Sequence, residues 1–222
     1  MNKRIPRHAF TLLEMLIVVA IIGIIAGIAM PALQKSMQTA KMTDAMSKAR
    51  QISLALRMYA NDNDGNYPLK KNTYEEEIVT SNDAFRSLIP GYLDNEKVFA
   101  VAGSKAGPSA DDQVEDAAHI LQPGENHWAF VYGLTQTSKS TWPLIVDHTD
   151  GSGRYTTQEK QYGGTWGGTR AVAIYTDGSG RIASTAGTGD QRFLPRTDDK
   201  TKNALAVTEY MGDDVKLLEP AR

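Results

Sequence analysis

Between Phe10 and Met30 the chain has one ionisable side chain, Glu14, set among Leu, Ile, Val, Ala, Gly, Met, Phe and Thr. A lone carboxylate in hydrocarbon costs about 3 kcal/mol or more, so an acid there needs a cationic partner or a route to the headgroups. Both chemistries stay open for Glu14, although snorkelling to an interface accounts for tolerance of an acid and not for its position. Elsewhere the residues capable of catalysis are scattered. His8 lies in a basic leader, and His119, His127 and His148 lie in or beside loop-like stretches without a metal-ligand spacing. The run GGTWGG at 163–168 contains no Lys and opens no evident helix, so it does not cradle phosphate. With neither a nucleophile and base nor a paired-carboxylate signature, the chain is expected not to be an enzyme.

Oxygen donors for a hard cation are more plentiful. Asp147, Asp150, Asp177, Asp198, Asp199, Asp213 and Asp214 are the candidates for a calcium site, in no recognisable loop spacing, and the last two pairs also read as solvated loop acids. The acidic string NDNDGNYP at 61–68 is not an EF-hand. Aligning Gly65 with the loop's invariant glycine puts Ala60 at the first ligand position and Lys71 at the twelfth.

The element that carries Glu14 comes next. Residues 10–30 form a helix of about 30 Å at 1.5 Å per residue, one bilayer core. Lys3, Arg4 and Arg7 precede it, which puts residues 1–9 in the cytoplasm and the rest of the chain across the membrane. A cleaved secretory leader is the alternative, with a small-residue site at 26–29, but its apolar region is usually shorter and does not begin with an acid.

The string RHAFTLLE at 7–14 resembles the processing site of type IV pilins and type II secretion pseudopilins, with Ala9 where the family usually has Gly. The resemblance implies cleavage between Ala9 and Phe10 by a prepilin peptidase, N-methylation of Phe10, and pairing of Glu14 with the amino terminus of Phe10 on a neighbouring subunit. It also implies an assembly role for Gly23 and Pro31, which bound a segment that unwinds in the filament. The backbone physics is compatible with that role, since proline deletes a helical hydrogen bond and mid-helix glycine costs about 1 kcal/mol. The implied partners are copies of itself and other pseudopilins, an inner-membrane assembly platform and membrane lipid. The implied location is the inner membrane, with the C-terminal domain periplasmic, or the cell surface once assembled.

Beyond Pro31 the helix becomes amphipathic and runs to about Asn61, with Leu33, Met37, Ala45, Ala49, Ile52, Leu56 and Tyr59 as a stripe facing a globular domain. It stops at NDNDGNYP, a turn-forming cluster that resembles the string ending the long helix in major pseudopilins. The organisation is therefore a leader at 1–9, a transmembrane assembly helix at 10–30, its amphipathic half at 31–62, and a globular domain with long loops at 63–222. In that domain a short helix is predicted at 83–93, a strand at 97–101 and an exposed excursion at 104–124. Strands follow at 128–134, 142–146, 171–176 and 181–184, the last two joined by a DGSG turn, with a long loop at 150–168. The fold class is α+β, the long helix packing on an antiparallel sheet in a type IV pilin-like arrangement.

The segments 128–134, 143–147 and 167–178 further resemble a pilin-like subgroup, with two departures: Val101 and Ala102 stand where it often has cysteine and proline, and Gly167 stands where it often has histidine. With no cysteine in 222 residues, the disulfide-closed loop of many type IV pilins cannot form, which favours the pseudopilin branch. Major pseudopilins replace that disulfide with calcium, the one cofactor the resemblance brings in. Without the three leader cations the chain carries 21 basic and 26 acidic side chains, a net of −5 that disfavours nucleic acid as a partner. Three alternatives remain: a type IV pilus subunit, a surface adhesin using Trp142, Trp166 and Tyr162, and, least favoured, a signal-anchored extracytoplasmic enzyme.

Overall fold

A computed structural model describes residues 11–114 and 118–222. Its chain contacts divide it into two units, 1–40 and 41–222. The first unit is, in its described part, helical. Helix α1 (Leu12–Asp62) begins there and runs without interruption past Pro31. Every described side chain up to Lys41 is exposed. The apolar stripe therefore becomes a packed face only at Met42: Leu33 and Met37, expected on that face, are each more than half exposed.

The second unit holds the remaining elements: α2 (Ser81–Arg86), β1 (Trp128–Tyr132), β2 (Pro143–Asp147), β3 (Arg170–Tyr175), β4 (Gly180–Ser184), α3 (Val207–Met211) and β5 (Lys216–Leu218). The strands form one antiparallel sheet in the order β4-β3-β2-β1-β5. Alternation along the strands builds two cores. On one face Phe130, Ile145, Val172 and Ile174 pack with Met42, Ala45, Ala49, Ile52 and Leu56 of α1 and with Phe85 of α2. On the other, Ala129, Val146, Ala171, Ala173 and Tyr175 are covered by Tyr155, Leu194, Ala204 and Leu205. The long loops after β2 and β4 thus serve as a second cover for the sheet. This is the α+β layout of a pilin-like fold, a long N-terminal helix with a C-terminal antiparallel sheet.

Several local expectations change. The helix read at 83–93 is the shorter α2, which starts earlier because Thr80 and Asp83 form a capping box: Asp83 N donates to Thr80 Oγ1 at 3.4 Å, and Thr80 N donates to Asp83 Oδ2 at 2.7 Å. It ends at Arg86 in tighter three-residue turns, where Ser87 N donates to Ala84 O and Leu88 N to Phe85 O. The segment 97–101 is not a strand. Val98, Phe99, Ala100 and Val101 are all buried, a run without alternation, and their backbone turns back from Glu96 to bond with His127 and Gly107. Within the excursion at 104–124, Ser104, Ala106, Ile120 and Leu121 are buried, so only part of it is solvated.

Candidate assembly helix and buried polar network

Thr11 and Glu14 close the N-terminus of α1. Thr11 N and Thr11 Oγ1 both donate to Glu14 Oε2 at 2.8 Å, and Glu14 N donates to Thr11 Oγ1 at 3.2 Å. This is a second capping box, T-x-x-E, which satisfies two groups that a helix start otherwise leaves unpaired. Glu14 is exposed, and its carboxylate has no basic partner among the described residues. The helix behind it is long and apolar enough to cross a membrane, and none of its apolar window is buried. Ile17, Ile22, Ile25 and Ile28 are each about half or more exposed. In water such a surface is an unmet demand for lipid or for another apolar helix.

Gly23 and Pro31 lie on this helix. A Cβ at Gly23 would meet nothing within 4 Å, so no packing inside the chain requires glycine there. Pro31 sits in the helix interior, where it gives the Gly27 carbonyl no N–H to accept. Ala9 and Phe10, the expected cleavage and methylation positions, lie outside the described residues.

The globular unit contains a polar network that the spacing of its residues does not announce. His127 Nε2 donates to Asp147 Oδ1 at 2.7 Å, and Ser104 Oγ lies 2.8 Å from His127 Nδ1. The order serine, histidine, aspartate is that of a nucleophile with a base and an orienting acid. Its surroundings give it another use. Ser104 Oγ accepts from Ala106 N and Gly107 N at 3.1 and 3.2 Å, and Asp147 Oδ2 accepts from Trp166 Nε1 at 2.8 Å and from Val172 N. His127, Asp147 and His148 are 0–1 % exposed. Asp147 thus ends the β2–β3 ladder, taking the Val172 N–H where strand pairing stops at Val146 and Ala173.

His148 Nδ1 sits 3.2 Å from His127 Nδ1, and its ring meets Tyr162 edge-on. Burial first, then the charge of His127, holds the His148 imidazole well below its usual range. The sequence signals for this network were an acid ending the apolar run PLIVD and a histidine directly before Trp128.

The seven aspartates expected as calcium candidates are dispersed. Asp147 belongs to the network, Asp150 accepts from Ser152 and Arg154, Asp177 from Ser179 and Asp199 from Thr201, and Asp198 pairs with Arg196. Asp213 and Asp214 are exposed. The three aromatics considered for an adhesive patch are engaged internally: Trp166 is buried, Trp142 is half-buried against Tyr210, and Tyr162 lies between His148 and Arg222.

No curated protein and no solved structure matches this chain. Residues 5–30, the stretch containing the exposed helix and its capping box, match the family described as the prokaryotic N-terminal methylation motif, which supports a type IV pilin-like protein that is processed by a prepilin peptidase and assembles into filaments.

Proposed function

We propose that this chain is a structural subunit of a type II secretion pseudopilus, cut between Ala9 and Phe10 and N-methylated on Phe10. In this reading it is stored in the inner membrane with its N-terminus cytoplasmic and residues 63–222 periplasmic. It is then polymerised with copies of itself and other pseudopilins on a membrane assembly platform to drive protein export. The observation that carries the reading is the methylation motif placed directly on an apolar helix with wholly exposed sides, headed by an acid with no basic partner among the described residues. A helix of that kind is a polymer interface when it leaves lipid, and Glu14, Gly23 and Pro31 set its register and pliancy. The lack of cysteine favours the secretion branch over a disulfide-closed surface pilin.

The work is mechanical. The serine, histidine and aspartate of the globular unit bond to one another and hold backbone N–H groups and one indole. The deciding experiment is the intact mass and N-terminal residue of protein extracted from its native membrane. Loss of residues 1–9 with a methyl group on Phe10 is expected. An uncut N-terminus, or a cut near Ala29, would overturn the proposal.

A further inference from the structure

Three carboxylates meet in the globular unit at a place that neither α1 nor the sheet uses. Glu96 follows α2, Asp111 lies in the succeeding loop and Glu125 stands just before β1, yet each presents an oxygen within 4.8 Å of the other two. Glu96 is fully buried. Its Oε1 accepts one backbone N–H, from Leu121, whereas its Oε2 is buried without a hydrogen-bond partner. Glu125 accepts from Asp111 N at 3.2 Å and Gln122 N at 2.6 Å, and Asp111 accepts from Gln113 N at 3.0 Å and Gln113 Nε2 at 2.9 Å.

None of the three pairs with a basic side chain among the described residues. Lys97, adjacent to Glu96 in sequence, is taken by Asp112 at 2.6 Å. A buried anion with an open oxygen beside two further anions lacks positive charge. Protonation of Glu96 removes one negative charge; a divalent ion answers all three.

We propose that Glu96, Asp111 and Glu125 bind one calcium ion that fastens the 96–125 excursion to the start of β1. Two oxygens each about 2.4 Å from an ion lie at most about 4.8 Å apart, and the three carboxylate oxygens lie within that distance of one another. The donors are all hard oxygens on irregular backbone, which suits the six to eight ligands and loose geometry of calcium, whereas magnesium requires a near-ideal octahedron. Water and loop carbonyls complete the shell. The ion closes a loop of about thirty residues and supplies the counter-charge that Glu96 lacks. The site is separate from the seven aspartates discussed above and independent of the filament reading.

The test is calorimetric titration of the full-length protein in detergent, stripped with chelator, together with its melting temperature by tryptophan fluorescence. Expected is saturable binding of one calcium per chain and a melting temperature raised by millimolar calcium but much less by millimolar magnesium. Asp111→Asn, at an exposed position, should leave the metal-free melting temperature unchanged and weaken calcium binding at least about tenfold. Glu96→Gln should melt no lower than the metal-free native chain, since the amide removes the buried charge, and should lose the calcium response. Absence of saturable binding, equal affinity in Asp111→Asn, or an equal response to magnesium would overturn the assignment; Asp111→Asn decides the matter even if Glu96→Gln fails to fold.

Discussion

On the proposed function Glu14 has two separable duties, and a pair of substitutions tells them apart. Within the chain its Oε2 accepts from Thr11 N and Oγ1, both at 2.8 Å. Between chains, in the proposed filament, its charge meets the amino terminus of a neighbouring Phe10. Glu14→Gln keeps an oxygen for the capping box and removes the charge; Glu14→Ala removes both. Loss of the box costs the helix start about 1 kcal/mol, a local fraying that leaves the globular unit untouched. Loss of the pairing leaves the neighbouring Phe10 ammonium without a counter-charge in the apolar bundle, about 3 kcal/mol per subunit, equivalent to a rise of about two orders of magnitude in the concentration needed to polymerise. Both variants are therefore expected to be inserted and cleaved normally and to yield no sedimentable filaments. The assay is the filament fraction recovered by shearing and ultracentrifugation, with membrane-bound, processed subunit measured alongside. Normal filaments from Glu14→Gln would refute charge pairing and leave capping as the residue's function.

Asp147→Leu leaves three buried donors, on His127, Trp166 and Val172, unpaired at about 1–3 kcal/mol each, so chemical denaturation followed by tryptophan fluorescence should show a loss of about 3–9 kcal/mol. Asp147→Asn retains an oxygen for two of them and should lose only about 1–3 kcal/mol; equal losses would contradict the network as drawn. His148 is kept neutral by burial, so below pH 6.5 only the unfolded chain gains its proton and folding stability falls by up to about 1.4 kcal/mol per pH unit. Glu96 and Glu219, whose carboxyls are raised, act in the opposite sense, so the quantity to measure is native minus His148→Phe stability from pH 7 to 5. A flat difference would show that His148 is not held neutral. Ile52→Ala, in the core, should cost about 2–5 kcal/mol, whereas Ile22→Ala, exposed on the same helix, should leave denaturation of the globular unit unchanged and lower filament yield.

Periodicity made the long helix and four of the five strands legible, because each element is long enough to carry its own pattern. The apolar run PLIVD is buried along its whole length and RAVAIY after its first residue, whereas GRIAS, which is not buried, is legible through the DGSG turn that joins it to β3. Strand β5 is three residues, KLL, and α3 five, VTEYM, too short to show a period; pairing with β1 makes the first a strand. The run 97–101 misleads for the opposite reason: after Lys97 it is apolar throughout, and burial without alternation does not distinguish a strand from a packed turn. The capping boxes stand in the sequence as T-x-x-E and T-x-x-D, but a reading by apolar pattern passes over them, which is why it starts α2 at 83. The His127 network and the Glu96 cluster are not legible, since their members come from separated segments that meet only when the loops fold over the sheet.

The change in burial along α1 states the division of labour most directly. The backbone is one helix from Leu12 to Asp62, yet no described side chain before Met42 is buried, while Ala45, Ala49, Ile52 and Leu56 are sealed completely. A protein whose business was a site in its globular unit would need only the buried half of that helix. The exposed half carries large aliphatic side chains whose burial is worth about 1.5–3 kcal/mol each, far more in sum than a small domain's net stability. Lipid satisfies that demand as long as the subunit is stored, and like helices satisfy it when subunits stack, because neither partner needs specific polar contacts along most of the length. In the proposed filament, register is expected to come from the few features that are not apolar: the charge at Glu14, the side-chain gap at Gly23 and the missing hydrogen bond at Pro31. These are the positions at which assembly is expected to be sensitive to single substitutions that leave the fold intact.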